Sequence, residues 1–373
     1  MLPFVLYLFF FAFVSQRKRI LGYKTAKKKH HILIIIPAYK EDRVICLTVR
    51  SILQQDYPKE FFEVVVVSDQ MKPETNVQLS KEPIRLLEVD YTNSTKAKAM
   101  NFALDKLGDE KYDIVVILDA DNTTDTNFLS KINDCYAAGI KAIQAHRVAK
   151  NRNTDTAILD ALSEEINNSI FRKGHVNVGI SSALIGSGMA FDYAWFKCNI
   201  KKVSSMGEDK ELEVLLMRQK IYIEYLDDVK VYDEKTQDSK NFYNQRRRWI
   251  ATQVENLINS LKLLPWAIST KNIDLVDKIF SFMLLPRSIL LCLVAFMSVV
   301  LIPFNWLYAI KWWILMVILL YTLSCATPNY LIDKDFYRAM RKLPKLTMLM
   351  IFNIFRIKGA NKKFIHTDHE NSH

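Results

Sequence analysis

The stretch VVILDADN, residues 115–122, does the most to restrict what this chain can fold into. Large and β-branched apolar residues run without alternation into two carboxylates, Asp119 and Asp121, with Asn122 beside them. An unbroken apolar run of this length belongs to a strand buried on both faces, as in a parallel sheet covered by helices. In such sheets ligands bind beyond the carboxyl ends of the strands. Two like charges one residue apart repel unless a cation or a proton joins them. The tip of this strand therefore predicts a hard-oxygen site, of the kind that holds Mg²⁺ or Mn²⁺ with one or two carboxylates and phosphate oxygens.

Similar runs surround it. Strands are predicted at 32–37 (ILIIIP), 62–69 (FEVVVVSD), 84–90 (IRLLEVD), 113–121 and 141–148 (KAIQAHRV), with helical periodicity at 44–55, 96–107 and 128–138. The alternation argues an α/β fold with a mostly parallel sheet and helices on both faces. Only 9 glycines occur in 373 residues, and none forms GxGxxG or GxxxxGKS, so neither a dinucleotide fold nor a P-loop is signalled.

The apolar content is unevenly placed. Residues 2–14 are apolar without a break and are followed by Arg17-Lys18-Arg19, which reads as a short N-terminal membrane anchor with the next domain in the cytoplasm. The run is short for a full span, and the true start is left open upstream. Segments 288–304 and 312–326 read as two transmembrane helices, with Arg287 and Lys311 snorkelling at their ends. The expected organisation is an anchor at 1–15, a catalytic domain at 30–255, amphipathic interface helices at 256–287, two spans within 288–328, and a basic cytoplasmic tail at 329–373 with an interfacial piece at 346–355. The net charge of +11 clusters beside apolar segments, so anionic lipid is the expected partner and nucleic acid is not. Five scattered cysteines without a CxxC pair suit reduced thiols on the cytoplasmic side of an inner or plasma membrane.

Several other residues could carry chemistry. Asp69 stands at a strand tip, where it is either a turn residue or an acceptor for a base or ribose. Gly186–Asp192 (GSGMAFD) is either a tight hairpin or flexible backbone that an acceptor can approach. Glu208 and Asp209 precede a good helix. Alone, Asp209 reads as an N-cap, with a general base as the rival. QRRRW at 245–249 offers planar bidentate donors for a diphosphate and an indole for a sugar face. The string VVILDADNT also fits the hhhhDxDxT pattern of aspartate-nucleophile phosphatases, with Asp119 as the phosphorylated residue. A non-catalytic scaffold or sugar-nucleotide sensor is the third reading.

Taken in order, PAYKE, SD, DADN, GSGMAFD, GED and QRRRW resemble the membrane-bound family 2 glycosyltransferases, a group that includes cellulose and hyaluronan synthases and ceramide glucosyltransferase. The likeness runs from about Leu33 to Trp249 and extends weakly to 358–369. It implies a GT-A fold and an inverting single displacement from a nucleotide-diphosphate sugar, most readily a UDP-sugar, to a lipid-linked or saccharide acceptor. Under that resemblance Asp69 contacts the base, Asp119 the ribose or diphosphate, and Asp121 the Mg²⁺ or Mn²⁺. Asp209 is the general base with Glu208 beside it. Gln245, Arg248 and Trp249 form QxxRW, and Lys98 and Asn101 border the donor pocket. The first donor motif departs from the family in reading Ser68-Asp69-Gln70 instead of a double Asp. The small membrane part favours single transfer over processive synthesis and export, unless the chain forms homo-oligomers or has a membrane partner.

Overall fold

The computed structural model describes residues 1–348, apart from 20, 21, 109, 204, 206, 345 and 346. Its centre is an eight-stranded sheet: β1 (Ile32–Tyr39), β2 (Phe62–Asp69), β3 (Arg85–Val89), β4 (Ile114–Ile117), β5 (Thr123–Thr124), β6 (Ala142–Ala149), β7 (Met189–Asp192) and β8 (Ile223–Asp233). The spatial order is β3-β2-β1-β4-β7-β6-β8-β5. Strands β3, β2, β1 and β4 are parallel, while β7 runs antiparallel to both β4 and β6. The sheet is thus mixed. β6 and β8 pair in parallel again and run in the direction of β4, so the mostly parallel expectation holds for every strand except the short β7 and β5.

The unbroken runs have the cause that their composition suggests. Leu33, Ile35, Val65, Val67, Val115 and Ile117 face one core, and Ile32, Ile34, Ile36, Val64, Val66, Ile114 and Val116 face the other. Helices Lys96–Leu107, Tyr193–Asn199, Glu208–Arg218 and Ile273–Met283 cover the first face. Helices Ile45–Leu53 and Phe128–Ala137 cover the second. Each fully buried Val, Leu or Ile is worth about 1.5–3 kcal/mol over leaving it in water, so a sheet buried twice over fixes its strand ends firmly.

A third cluster joins helix Leu2–Ser15 to helices Asp155–Asn167, Arg287–Val300 and Trp306–Ala326. Among the described residues one helix, Trp306–Ala326, is long and apolar enough to cross a membrane. Arg287–Val300 has 14 residues and is bent by 60° from Ile273–Met283, so the first expected span is a broken pair. Arg287 does not snorkel. It is turned into the protein, where Nη1 donates to Asn167 Oδ1 at 2.6 Å and Nη2 to the Ser163 carbonyl at 3.0 Å. The expected interfacial piece at 346–355, except for 347 and 348, and the motif at 358–369 lie outside the described residues.

Candidate active site

The carboxyl edge of the sheet gathers the acidic residues. β4 ends at Ile117, and the turn that follows carries Asp119 and Asp121. Ser187 Oγ and Asn122 Oδ1 both accept from the Asp119 amide, each at 3.1 Å, which ties the turn to the loop before β7. That loop needs its glycines: Gly186 and Gly188 take φ of +77° and +64°, and a Cβ on Gly188 would press on Val231.

The end of β8 supplies a third carboxylate. Oxygens of Asp119, Asp121 and Asp233 lie within 4.8 Å of one another. Asn122 Nδ2 donates to Asp121 at 3.1 Å and to Asp233 at 3.3 Å, and the Glu234 amide donates to Asp121 at 3.0 Å. Three convergent hard oxygens on fixed backbone fit a divalent cation. Basic groups offset part of the charge meanwhile. Lys96 pairs with Asp119 and lies 3.9 Å from Glu208. Arg147 sits 3.4 Å from Asp233, 3.6 Å from Glu164 and 3.9 Å from Asp119. Lys235 pairs with Asp233 at 2.8 Å. Burial works against the charged form of Lys96, but Asp119 and Glu208 outweigh it and its pKa rises. Arg147 behaves alike, with Asp233, Glu164 and Asp119 as the cause.

The opposite wall is built by a close helix crossing. Helix Glu208–Arg218 starts after Gly207, where a Cβ would collide with Thr252 Cγ2 of helix Ser239–Leu261. Thr252 lies one turn beyond Arg248, so this contact brings Arg248 alongside Glu208. Burial lowers the pKa of Arg248, and the charges of Glu208 and Asp119 partly restore it. Burial also pushes Glu208 up to about 7, with Asp209 and Asp119 adding to the rise and Lys96 opposing it. Asp209 is half-buried in the first helical turn. Its Oδ1 accepts from the Lys210 amide at 2.9 Å, and its Oδ2 is 3.4 Å from Lys210 Nζ.

The other residues singled out in the sequence separate into two sets. Asp69 ends β2 and is buried; its Oδ1 accepts from the Tyr91 amide at 3.1 Å, and Oδ2 has no hydrogen-bond partner among the described residues. Gln245 Oε1 is likewise buried without one. Lys40 and Gln70, at the adjoining ends of β1 and β2, both have positive φ (57° and 54°). Lys98, by contrast, is exposed and donates to the Asn93 carbonyl at 2.8 Å. Asn101 Nδ2 donates to the Ala97 carbonyl at 3.0 Å, and its Oδ1 is buried without a hydrogen-bond partner among the described residues. The lysine that meets Asp119 is Lys96, two residues before Lys98 and so on another side of the helix.

The arginines of QRRRW also divide. Arg246 pairs with Asp160, and its guanidinium lies 4.4 Å from the Trp249 ring centroid and 4.8 Å from that of Phe242. Arg248 instead shares its surroundings with Glu208 and Asp119. Asp233, Arg147 and Lys96 were missed in the sequence. The pairing of hydrophobic and charged residues along β8 gave no continuous run, and Arg147 sits inside an expected strand without a motif of its own.

A mixed sheet with acidic residues at its carboxyl edge and an arginine on the following helix is the arrangement that the family resemblance implies. A family model described as glycosyltransferase like family 2 matches residues 30–252, more than half of the chain, so the chain belongs to that family and is a glycosyltransferase. A chondroitin synthase of Pasteurella multocida (strain Pm70) is 28% identical over 184 residues, covering 45% of this chain and 19% of that protein. This chain therefore corresponds to a minor part of that relative. An N-acetylglucosaminyltransferase of Rhizobium meliloti (strain 1021) is 24% identical over 301 residues, covering 76% of this chain and 68% of its own. Among solved structures, a mannosyltransferase from Pyrobaculum calidifontis in complex with GDP-Man and Mn²⁺ superposes with a TM-score of 0.53 at 16% identity, covering 87% of this chain and 94% of that one. Family membership sets aside the phosphatase reading of VVILDADNT.

Proposed function

We propose that this chain is a membrane-anchored, inverting glycosyltransferase. It moves a sugar from a nucleotide-diphosphate donor, a UDP-sugar before others, to a lipid-linked or saccharide acceptor in cell-surface polysaccharide or glycolipid synthesis. The observation that carries the reading is the meeting of Asp119, Asp121 and Asp233 with Lys96, Glu208 and Arg248 at one edge of the sheet. A nucleotide-sugar donor is supported by the mannosyltransferase of similar fold, which was solved with GDP-Man and Mn²⁺.

In this reading Asp69 Oδ2, buried and without a hydrogen-bond partner among the described residues, accepts a hydrogen bond from the nucleotide base. Asp121, with Asp119 and Asp233 beside it, holds Mg²⁺ or Mn²⁺, which when bound supplies positive charge against the leaving diphosphate. Arg248 and Lys96 add fixed charge on the same side, which is most effective where water is excluded. Gln245 orients the diphosphate, and Trp249 borders the acceptor. Asp209 takes the proton of the acceptor hydroxyl as its oxygen bonds to the anomeric carbon; the bond from that carbon to the diphosphate oxygen breaks on the opposite face, which inverts the centre. Lys98 and Asn101 keep a place at the pocket border only if that rim closes on the donor.

Membrane anchoring rests on Trp306–Ala326 and on the apolar helix Leu2–Ser15 packed beside it. Arg17-Lys18-Arg19 favours a cytoplasmic catalytic domain at an inner or plasma membrane. A small membrane part favours single transfer, and processive synthesis then needs an oligomer or a membrane partner. The test is calorimetric binding of UDP, GDP and phosphate to detergent-solubilised protein, with Mn²⁺ and with EDTA. Metal-dependent binding of UDP or GDP supports the reading and names the nucleotide, whereas no nucleotide binding in either condition overturns it.

A further inference from the structure

Helix Ile273–Met283 departs from what an interface helix does with its charges. Its exposed apolar residues, Ile273 and Met283, sit at its two ends, and three charged side chains turn into the catalytic domain. Asp274 accepts from Ser181 through both the amide (3.0 Å) and Oγ (2.9 Å). Asp277 accepts from Tyr7 Oη and pairs with His175, each at 3.0 Å. Lys278 pairs with Glu213, which is wholly buried inside helix Glu208–Arg218. The Asp274 and Asp277 contacts lead to a strand edge and to the N-terminal helix. The Lys278 contact leads elsewhere.

From Glu213 the charges continue in a row. Glu213 Oε2 is 3.3 Å from Lys210 Nζ, and Lys210 Nζ is 3.4 Å from Asp209 Oδ2. Both ends of one residue lock the row in place: the Leu184 amide donates to Glu213 Oε2 at 3.3 Å, and Lys210 Nζ donates to the Leu184 carbonyl. Lys278, Glu213, Lys210 and Asp209 thus alternate in sign from the helix beside the apolar layer to the acidic residue of the GED motif. A buried carboxylate such as Glu213 keeps its charge only while paired. If Lys278 is taken away, Glu213 must draw on Lys210 alone, and Lys210 is then pulled from Asp209.

We infer that Lys278, Glu213 and Lys210 are positioning residues that set the orientation and basicity of Asp209, so that seating of helix Ile273–Met283 governs turnover. The inference rests on Asp209 being the general base. The charged groups whose fields reach Asp209 are Glu208 and Lys210 on its own helix, Lys96 on helix Lys96–Leu107 and Lys278 on helix Ile273–Met283. Arg172 lies close enough to act on Lys210.

The experiment measures release of UDP or GDP from nucleotide sugars by the full chain in detergent, with membrane lipid extract as acceptor, across pH. Binding of UDP or GDP with Mn²⁺ is measured alongside. Glu213→Gln removes the anion that competes for Lys210, so Asp209 pairs more tightly and the acid limb of kcat moves to lower pH. Lys278→Met does the reverse, and the limb moves to higher pH. In both variants kcat falls about tenfold or more, as for a misplaced catalytic group, while nucleotide binding stays within about twofold of wild type. Lys278→Arg restores kcat. Lys210→Gln, at a half-exposed position that costs little packing, moves the limb upward and keeps the test open if Lys278→Met fails to fold. Unchanged kcat and unchanged limbs in Glu213→Gln and Lys210→Gln overturn the inference. Asp209→Asn separates the two failures: if it keeps near wild-type turnover, the base assignment itself falls.

Discussion

The sheet domain and the apolar helical layer obey opposite rules of burial. In the sheet domain β1, β2 and β4 hide their apolar side chains on both faces, and the acidic groups of the site appear where β2 and β4 end, at Asp69, Asp119 and Asp121. In the layer formed by Trp306–Ala326 and its neighbours, the large apolar groups point outward. Trp306, Trp313, Val317 and Tyr321 are all more than half exposed, and Phe304, just before that helix, is 79% exposed. The sheet places its charges by backbone: each acidic group stands at a strand tip and inherits the rigidity of a twice-buried sheet. The helical layer has no such frame: it packs on helix Asp155–Asn167 through the third apolar cluster and adds polar contacts such as Arg287 to Asn167. Precision belongs to the first region, and a surface that water covers poorly belongs to the second.

The largest effect should come from the sheet edge. Asp121→Ala removes the carboxylate that anchors the cation reading, and metal-dependent electrostatic stabilisation is worth several kcal/mol. Turnover should drop roughly a thousandfold, and the Mn²⁺ dependence of UDP or GDP binding should fade. Asp233→Ala should show the same signature in weaker form. Equal nucleotide affinity with Mn²⁺ and with EDTA in the wild type would break the comparison at its strongest point.

A second test uses Glu208. Its folded pKa is raised from 4.5 to about 7, chiefly by burial. A carboxyl shifted upward holds its proton better in the folded state, so the folded protein loses stability as pH rises from 4.5 through 7. The loss is on the order of 3 kcal/mol at most for a shift of this size. Glu208→Gln cannot ionise and should melt higher than wild type at pH 8 but not at pH 4.5, as read by thermal unfolding in detergent. A constant difference across pH would mean that Lys96 and Arg248 fully compensate the charge.

How much of this was readable beforehand follows the same division. Strand tips are local, so VVILDADN and VVVVSD marked their sites directly, and the two-sided burial of β1, β2 and β4 was written in their unbroken runs. β8 escaped notice because Asp227 and Asp228 interrupt it at a bulge opposite Ala145 and His146, and Asp233 was lost with it. β7 is four residues long, and two glycines before it imitate a plain turn. Lys96 escaped notice because the helix face that meets Asp119 stays open until the start of the helix at Lys96 is known. Pairs such as Arg246 with Asp160 or Lys278 with Glu213 join distant segments and carry no local signal at all.

Gly207 tests whether the site wall depends on a helix crossing as well as on the sheet. Gly207→Ala puts a methyl against Thr252 and should cost about 1–3 kcal/mol as overpacking. Activity should fall further than stability alone explains, because Arg248 and Glu208 move apart. Thr252→Ser in the same chain removes the methyl that is struck and should recover most of both losses.

The smallest effect on stability is expected in the helical layer. Val317 is exposed on Trp306–Ala326, so Val317→Asp removes no packing in the described protein. Its melting temperature in detergent should stay close to wild type, as for surface substitutions within about 0.5 kcal/mol. Its distribution should not: a carboxylate at the middle of a membrane helix costs about 2.5–3.5 kcal/mol on insertion scales, so the variant should shift from the membrane fraction toward the supernatant on flotation. The same substitution at Val116 in β4, buried on both faces of the sheet, should unfold the domain outright. If Val317→Asp lowers melting as Val116→Asp does, the outward face of this helix is covered by protein, and a second copy or a partner chain takes the place assigned to lipid.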